Sequence, residues 1–447
     1  MEKHANGEWA ALLPPPAMTR SEALAEANRC LMCWDAPCTR ACPTHIDVPR
    51  FIKQISTDDM LGSARTILSA NMLGASCARV CPTEVLCEGA CVLHDLHERP
   101  IEIGRLQWHA TDPVVLGGDQ IFEPGPDSGF RVAIVGGGPA GLSCAAELRR
   151  AGHGAVVFDA GERPGGLNTH GVADYKMAPA TSLAEVDWVL SHGIELRSGV
   201  RVGVDVTIDS LLDEYDAVFI GTGLARSAPL GIPGEDLSGV VPALDFIAQL
   251  KSRPRAEMSL AGERVAVIGA GNTAIDAATQ SARLGADKVY LIFRRARPHM
   301  RAYDHEVELA LSDGVELVPR AVPVAVNGVD AVAGLTCRRT ELGAPRPDGR
   351  PSVQVLEGSD FELDVTRVFR ATGQVADQDF FEGVPDVALA AGKVVVDERF
   401  RTGNPRIWAG GDCVNGGKEV VNAVEHGKQA ARDIDATLRS TAPTGGN

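Results

Sequence analysis

Two short runs of β-branched and small apolar residues organise the chain. Arg131-Val132-Ala133-Ile134-Val135 passes straight into glycines and then into a helical stretch, Leu142–Ala151. Further along, Arg264-Val265-Ala266-Val267-Ile268-Gly269 repeats the pattern. An apolar run closed by glycine reads as a buried parallel strand, and strand–glycine–helix is the local plan of a nucleotide-binding unit. The pattern therefore predicts two such units in tandem. Ahead of them, the first 125 or so residues are helical in period. Thr19-Arg20-Ser21-Glu22 predicts a capping box that opens an amphipathic helix running up to Cys30. Phe51 to Leu73 reads as one or two more helices, and Glu123-Pro124-Gly125-Pro126-Asp127-Ser128-Gly129 as a boundary. From Leu335 to Val365 the pattern is strand-like, with a polar hairpin at Ala344-Pro345-Arg346-Pro347-Asp348-Gly349. The tail from Thr441 is short, polar and expected to be disordered.

A length of 447 residues suits two or three domains. The 45% hydrophobic and 23% charged content is that of an ordinary globular chain, and 48 glycines with 5% aromatics make it turn-rich. A formal net charge of −16 argues against nucleic acid or an anionic membrane as the main partner. No stretch reaches the roughly 18 apolar residues of a membrane helix. The opening MEKHANGEWAALLPPP lacks a charged-then-apolar signal layout, so a cytoplasmic location is expected.

Cysteine placement changes the picture. Of 11 cysteines, eight fall between Cys30 and Cys91: Cys30, Cys33, Cys38, Cys42, Cys77, Cys81, Cys87 and Cys91. In a reducing compartment so dense a set reads as metal ligands rather than disulfides. Cys30-x2-Cys33-x4-Cys38-x3-Cys42-Pro43 is a relative of the two-cluster ferredoxin run, in which the cysteine before proline serves the other cluster. Structural zinc is the plainer alternative, but it favours paired C-x2-C knuckles, whereas the spacings here are mixed.

Gly136-Gly137-Gly138-Pro139-Ala140-Gly141 satisfies G-x-G-x-x-G, and the next strand ends in Asp159, placed to accept ribose hydroxyls. Gly165-Gly166-Leu167 and, far downstream, Ala409-Gly410-Gly411-Asp412 followed by a helix from Val420 complete the order expected of a flavin site. In the second unit, Gly269-Ala270-Gly271-Asn272-Thr273-Ala274 gives G-x-G-x-x-A. Its second strand ends in Arg294-Arg295 instead of an acid, and guanidinium groups pair with a 2′-phosphate, so NADPH is favoured over NADH. Arg301 adds to that pocket, and Ala371-Thr372-Gly373 closes it. No cysteine pair follows Gly165-Gly166 or Gly271, so a dithiol relay is missing and electrons must leave through the cysteine-rich region.

From about Ala23 to Leu438 the chain resembles the electron-input half of dihydropyrimidine dehydrogenase, within a wider group that includes the small subunit of glutamate synthase. The resemblance rests on Cys30-Leu31-Met32-Cys33-Trp34-Asp35-Ala36-Pro37-Cys38, on the Cys81–Cys87 spacing and on Ile103-Gly104-Arg105-Leu106-Gln107. It implies an α/β protein with an N-terminal helical domain holding two [4Fe–4S] clusters (1–125). A Rossmann-like FAD domain (126–250 and 366–447) follows, with an NAD(P)H domain (251–365) inserted in it. By the same resemblance one cluster takes Cys30, Cys33, Cys38 and Cys91. The other takes Cys42, Cys81, Cys87 and Gln107, leaving Cys77 a non-ligand, where spacing alone would give two all-cysteine sets. The FAD site carried over is Val80, Gly136, Gly138, Pro139, Ala140, Asp159, Leu167, Lys176, Val202, Gly411, Asp412 and Val420, to which Gly141 and Gly166 of the glycine motifs are added. The NADPH site is Gly269, Ala270, Gly271, Asn272, Thr273, Arg294, Arg295, Arg301, Ala371, Thr372 and Gly373. The implied activity is NADPH (or NADH) oxidation, with electrons passed through FAD and the clusters. The implied partner is an FMN and iron–sulfur subunit in a hetero-oligomer, which reduces uracil or thymine at the 5,6 double bond. No residue of this chain acts as acid or base on the pyrimidine. A glutamate synthase small subunit, a freestanding NAD(P)H oxidoreductase using ferredoxin or quinone, and a zinc-stabilised nucleotide sensor are the alternatives.

Overall fold

Strand pairing sorts the chain into two units that its linear order interleaves. The computed structural model describes residues 16–441 except 225, 255–256 and 347–348. The N-terminal stretch read for a signal layout (up to residue 15), the tail beyond Thr441 and the Pro347-Asp348 tip of the expected hairpin lie outside the described residues. One unit gathers His170–Ala178 and Arg226–Gln374, and the other gathers the remaining described residues. Among the described residues no helix is long and apolar enough to cross a membrane.

The larger unit begins with helices. Thr19 caps the first, Arg20–Ala27, with both arms of the capping box formed. This helix stops short of Cys30 because Asn28 closes it, its side-chain amide donating to the Leu24 carbonyl at 2.8 Å. The stretch from Phe51 divides into Val48–Ser56 and Met60–Ala70. Asp58 breaks it with a left-handed φ of +63°, and Asp59 caps the second helix by accepting from the Gly62 N–H at 2.9 Å. Phe51, Ile52, Ile55, Ile67 and Leu106 form the apolar centre of this region.

Beyond the linker, a five-stranded parallel sheet runs in the order Ile407–Ala409, Ala217–Ile220, Arg131–Val135, Gly154–Asp159, Glu195–Ser198. Apart from the edge strand Glu195–Ser198, its strands are largely apolar because both faces are covered. Val132, Ile134, Val157, Phe219 and Trp408 pack in a core shared with helices Pro139–Ala151 and Val420–Thr441. Ala133, Val135, Val156, Phe158, Val218 and Ile220 fill the other face.

The smaller unit holds a second parallel sheet, Val240–Pro242, Arg367–Arg370, Arg264–Ile268, Lys288–Phe293, Glu316–Pro319. Three antiparallel strands, Ala321–Gly328, Val332–Pro345 and Pro351–Leu363, form a separate sheet in the same unit. This unit is wider than the 251–365 expected for the inserted domain. Val240–Pro242 and Arg367–Arg370 pair into its sheet, and helix Ala243–Ser252 runs across the expected boundary at 251. It also includes the segment carrying Lys176.

Candidate functional site: two dinucleotide cradles and a thiol-lined cavity

The first cradle is a backbone device. Gly136 takes a left-handed φ of +104° where the strand turns into helix Pro139–Ala151. A Cβ on Gly141 would lie 1.9 Å from the Gly136 carbonyl oxygen, so nothing larger than glycine fits. Opposite the turn, a Cβ on Gly166 would come within 3.0 Å of the Gly138 Cα. Gly411, at φ +77°, faces the Ala140 methyl from the far end of the chain. The structure thus brings Gly136, Gly138, Ala140, Gly141, Gly166 and Gly411 together at one helix N-terminus, the arrangement that accepts a pyrophosphate. Asp159 stands at the strand end, its two oxygens accepting from the Gly137 and Gly161 N–H groups, each at 2.7 Å. Asp412 accepts from the Lys418 N–H at 3.2 Å, and burial pushes its carboxyl above the usual value. Val420 opens the helix that follows, Leu167 starts the short helix Leu167–His170, and Val202 is buried.

Lys176, carried over to the FAD site by the resemblance, lies outside the unit that holds this cradle. It belongs to the smaller unit, where its ammonium lies 2.8 Å from Asp276 and 2.6 Å from Glu306. Burial alone would lower its pKa, but the two carboxylates reverse this and hold it above the usual lysine value. Tyr175 adds a 2.6 Å hydrogen bond to Asp276, and Lys251 reaches Asp174 at 3.2 Å. These contacts tie the Lys176 segment to helices Asn272–Arg283 and Asp304–Ser312 of the same unit.

The second cradle is an open cleft of about 560 Å³. Gly269, Ala270 and Gly271 line it beside Ala371, Thr372 and Gly373, and helix Asn272–Arg283, which opens with Asn272 and Thr273, follows directly on Gly271. Arg294, Arg295 and Arg301 line it too. Arg294 and Arg301 are exposed, whereas Arg295 is buried and its Nε donates to the Pro351 carbonyl at 3.0 Å. The expected arginine pair is therefore unequal. His299 and Arg350 also line the cleft, and sequence reasoning missed both. Arg350 lies far from Arg295 in sequence and carries no local signal.

Cys30, Cys33, Cys38 and Cys91 line a single apolar cavity with Ile52, Leu93 and Ile103 among its walls. Burial pushes the Cys38 thiol up to about 11, against a bond from the Thr39 backbone, and raises that of Cys30 as well. A second group forms around Cys81. Its thiol is pushed well up, first by a hydrogen bond with Cys77, then by burial and by nearby Cys87 and Cys42. Gln107, also buried, donates its amide to the Gly74 carbonyl at 2.7 Å. Gly74 starts the helix Gly74–Val80, which carries Cys77 and ends at Val80 next to Cys81. Among the described residues no three Cys, His, Asp or Glu side chains converge as a single metal ion requires. Four thiols spread round an apolar space are the soft donor set an iron–sulfur cluster takes, and coordination would remove their protons.

Two glycine cradles on parallel sheets, one ending in an acid and one in arginines, define a flavin- and NAD(P)-dependent oxidoreductase. Residues 130–427 match the family model described as pyridine nucleotide-disulphide oxidoreductase, and the chain belongs to that family. Residues 14–116 match the model described as dihydropyrimidine dehydrogenase domain II, 4Fe-4S cluster, so the N-terminal region is a 4Fe–4S domain. The chain is 36% identical over 439 residues to the glutamate synthase [NADPH] small chain of Escherichia coli, covering 93% of this chain and 91% of that one. It is 32% identical over 419 residues to the NAD-dependent dihydropyrimidine dehydrogenase subunit PreT of Escherichia coli, covering 94% and 95%. The structure of Mycobacterium tuberculosis FprA in complex with NADPH shares the fold, with a TM-score of 0.59 at 21% identity over 70% of this chain and 85% of that one. Overall identity does not single out the pyrimidine branch.

Proposed function

We propose that this chain is the electron-input component of a two-component reductase, taking NADPH in the arginine-lined cleft and delivering electrons through its thiol-rich domain to a partner. The observation that carries the reading is the cavity lined by Cys30, Cys33, Cys38 and Cys91, in the same chain as two dinucleotide cradles. Leu167-Asn168-Thr169-His170 stands where a dithiol would follow Gly165-Gly166. Cys144, Cys337 and Cys413 are buried singly in the sheets and helices. Bound FAD supplies the conversion of two-electron hydride chemistry to single-electron transfer, and bound clusters supply the conduction.

The chain's own residues bind and orient. Gly136, Gly138 and the N-terminus of helix Pro139–Ala151 would hold the FAD pyrophosphate, with Asp159 at the ribose. Val80, Leu167, Val202, Asp412 and Val420 would complete that site. Gly271 and helix Asn272–Arg283 would hold the NADPH pyrophosphate, and Arg294 and Arg301 its 2′-phosphate. Cys30, Cys33, Cys38 and Cys91 would hold one cluster, and Cys42, Cys81, Cys87 and Gln107 a second. Replacing Gln107 with Ala is expected to perturb one cluster's EPR signal while Cys77→Ala leaves both intact. The opposite outcome returns Cys77 to the ligand set. Zinc without acid-labile sulfide in anaerobically purified protein would remove the cluster reading altogether.

For the partner we favour an FMN and iron–sulfur subunit that reduces uracil or thymine to the 5,6-dihydropyrimidine. Support comes from Asp35-Ala36-Pro37-Cys38, the Cys81–Cys87 spacing and Gln107, together with the likeness to PreT, whose name describes such a subunit. The likeness to a glutamate synthase small chain, at 36% identity, favours a second reading in which the partner aminates 2-oxoglutarate. Anaerobic NADPH oxidation by this chain with its co-purifying subunit separates them. Uracil-dependent oxidation yielding dihydrouracil carries the first. Oxidation that responds to 2-oxoglutarate plus glutamine and ignores uracil carries the second.

A further inference from the structure

The nucleotide cleft is more basic than its strand-end arginines account for. Four arginines and a histidine line it, and its described lining residues include no carboxylate, on a chain of formal net charge −16. The fourth arginine, Arg350, comes from the turn between the long antiparallel strands Val332–Pro345 and Pro351–Leu363. That turn is anchored to the end of Lys288–Phe293. Arg295 Nε donates to the Pro351 carbonyl at 3.0 Å, and Thr340 Oγ1 donates to the Arg294 carbonyl at 2.9 Å. The Arg346 N–H closes the turn on the Arg350 carbonyl at 2.8 Å. The hairpin is thereby pinned beside its turn, next to Arg350, by one of the two arginines that stand where an NAD site has its acid. His299, on the same cleft, has a buried Nδ1 with no hydrogen-bond partner.

We infer that Arg350 is a specificity-determining residue that pairs with the 2′-phosphate of the nucleotide, with Arg295 serving to present the hairpin rather than to bind the phosphate. A dianionic phosphate has three oxygens to share among planar guanidinium forks, so Arg350 adds to Arg294 and Arg301 on the same cleft, whereas buried Arg295 is already committed on one edge. The inference rests on the NADPH reading of this cleft.

The test compares binding of 2′,5′-ADP and 5′-ADP to flavin-loaded protein by calorimetry, for wild type, Arg350→Gln and Arg346→Gln. Arg346 belongs to the same turn and is exposed, so its replacement removes the same charge away from the cleft wall. Arg350→Gln should weaken 2′,5′-ADP about tenfold and leave 5′-ADP unchanged, while Arg346→Gln binds both as wild type does. Equal weakening by the two variants would reduce the effect to diffuse charge and overturn the assignment, as would no weakening at all. If wild type itself binds the two probes equally, the NADPH reading fails and takes the Arg350 role with it. Discrimination by wild type that Arg350→Gln leaves intact fells the Arg350 role alone.

Discussion

The two dinucleotide cradles share a strand, a turn and a helix, and two of the positions at which they differ carry the contrast. At the sixth place of the fingerprint the first has Gly141 and the second Ala274. The backbones explain it: φ is +104° at Gly136 but +147° at Gly269, and the Ala274 methyl is fully buried without displacing its turn. In the first cradle the same methyl would sit 1.9 Å from a carbonyl oxygen. At the end of the next strand the first has Asp159, already bridging two amides of its own loops, and the second has Arg294 beside Arg295. Similar scaffolds thus differ by one methyl group at the turn and by the sign of the charge at the strand end.

The largest break in this comparison should come from Gly141→Ala. The clash is with backbone, which has no rotamer to yield, so the protein is expected to purify without flavin, read from its visible absorbance. The mirror change, Ala274→Gly, should keep the flavin and lower stability by only about 1 kcal/mol. Flavin retained by Gly141→Ala would show that the two turns are interchangeable after all. A smaller effect is expected at the strand end. Arg294→Ala should raise the KM for NADPH about tenfold and leave that for NADH unchanged, since only the charged 2′-phosphate contact is lost. Equal loss with both nucleotides would place Arg294 at the pyrophosphate and dissolve the contrast with Asp159.

How legible the molecule is in its sequence follows the same division between near and far. Strand, glycine turn, helix and strand-end charge lie within about 30 residues of each other, and each local choice reports the unit's purpose. Three of the four thiols round the cavity, Cys30, Cys33 and Cys38, are near neighbours in sequence, whereas Cys91 was grouped with them only through the family resemblance. Long-range pairing was not readable. Val240–Pro242 and Arg367–Arg370 carry nothing local that assigns them to the second sheet, and only their register against each other and Arg264–Ile268 does so. Lys176 sits amid flavin-domain sequence, yet carboxylates about 100 and 130 residues away, Asp276 and Glu306, fix its place. Arg350 reaches its cleft through hairpin register and through long-range hydrogen bonds that link the hairpin to Arg294 and Arg295. The end of the first helix at Ala27 depended on one asparagine side chain turning back on a carbonyl.

The units also differ in how they bury charge, and here the smallest effect is expected. In the smaller unit Lys176 is matched by two carboxylates. In the larger unit Glu185, 1% exposed, accepts from the Ala75 N–H at 2.7 Å, from the Ser76 N–H at 3.1 Å and from the Ser76 hydroxyl, and among the described residues it has no salt-bridge partner. Burial pushes its carboxyl up to about 7; these hydrogen bonds and the more distant Arg79 pull the other way without cancelling it. A folded-state pKa above the unfolded value means that the native state holds the proton more tightly. The associated stability is complete below the unfolded value of about 4.3 and is lost as pH rises through about 7. The slope cannot exceed about 1.4 kcal/mol per pH unit, the limit for a single proton. Glu185→Gln keeps an acceptor for the amides of Ala75 and Ser76 but has no proton to lose. Its denaturation midpoint should therefore fall less between pH 5 and pH 8 than that of wild type, by roughly the pH-dependent part of the Glu185 contribution. Parallel pH profiles for the two proteins would mean that Glu185 keeps an ordinary pKa in its amide cage, and that both units neutralise their buried charge equally well.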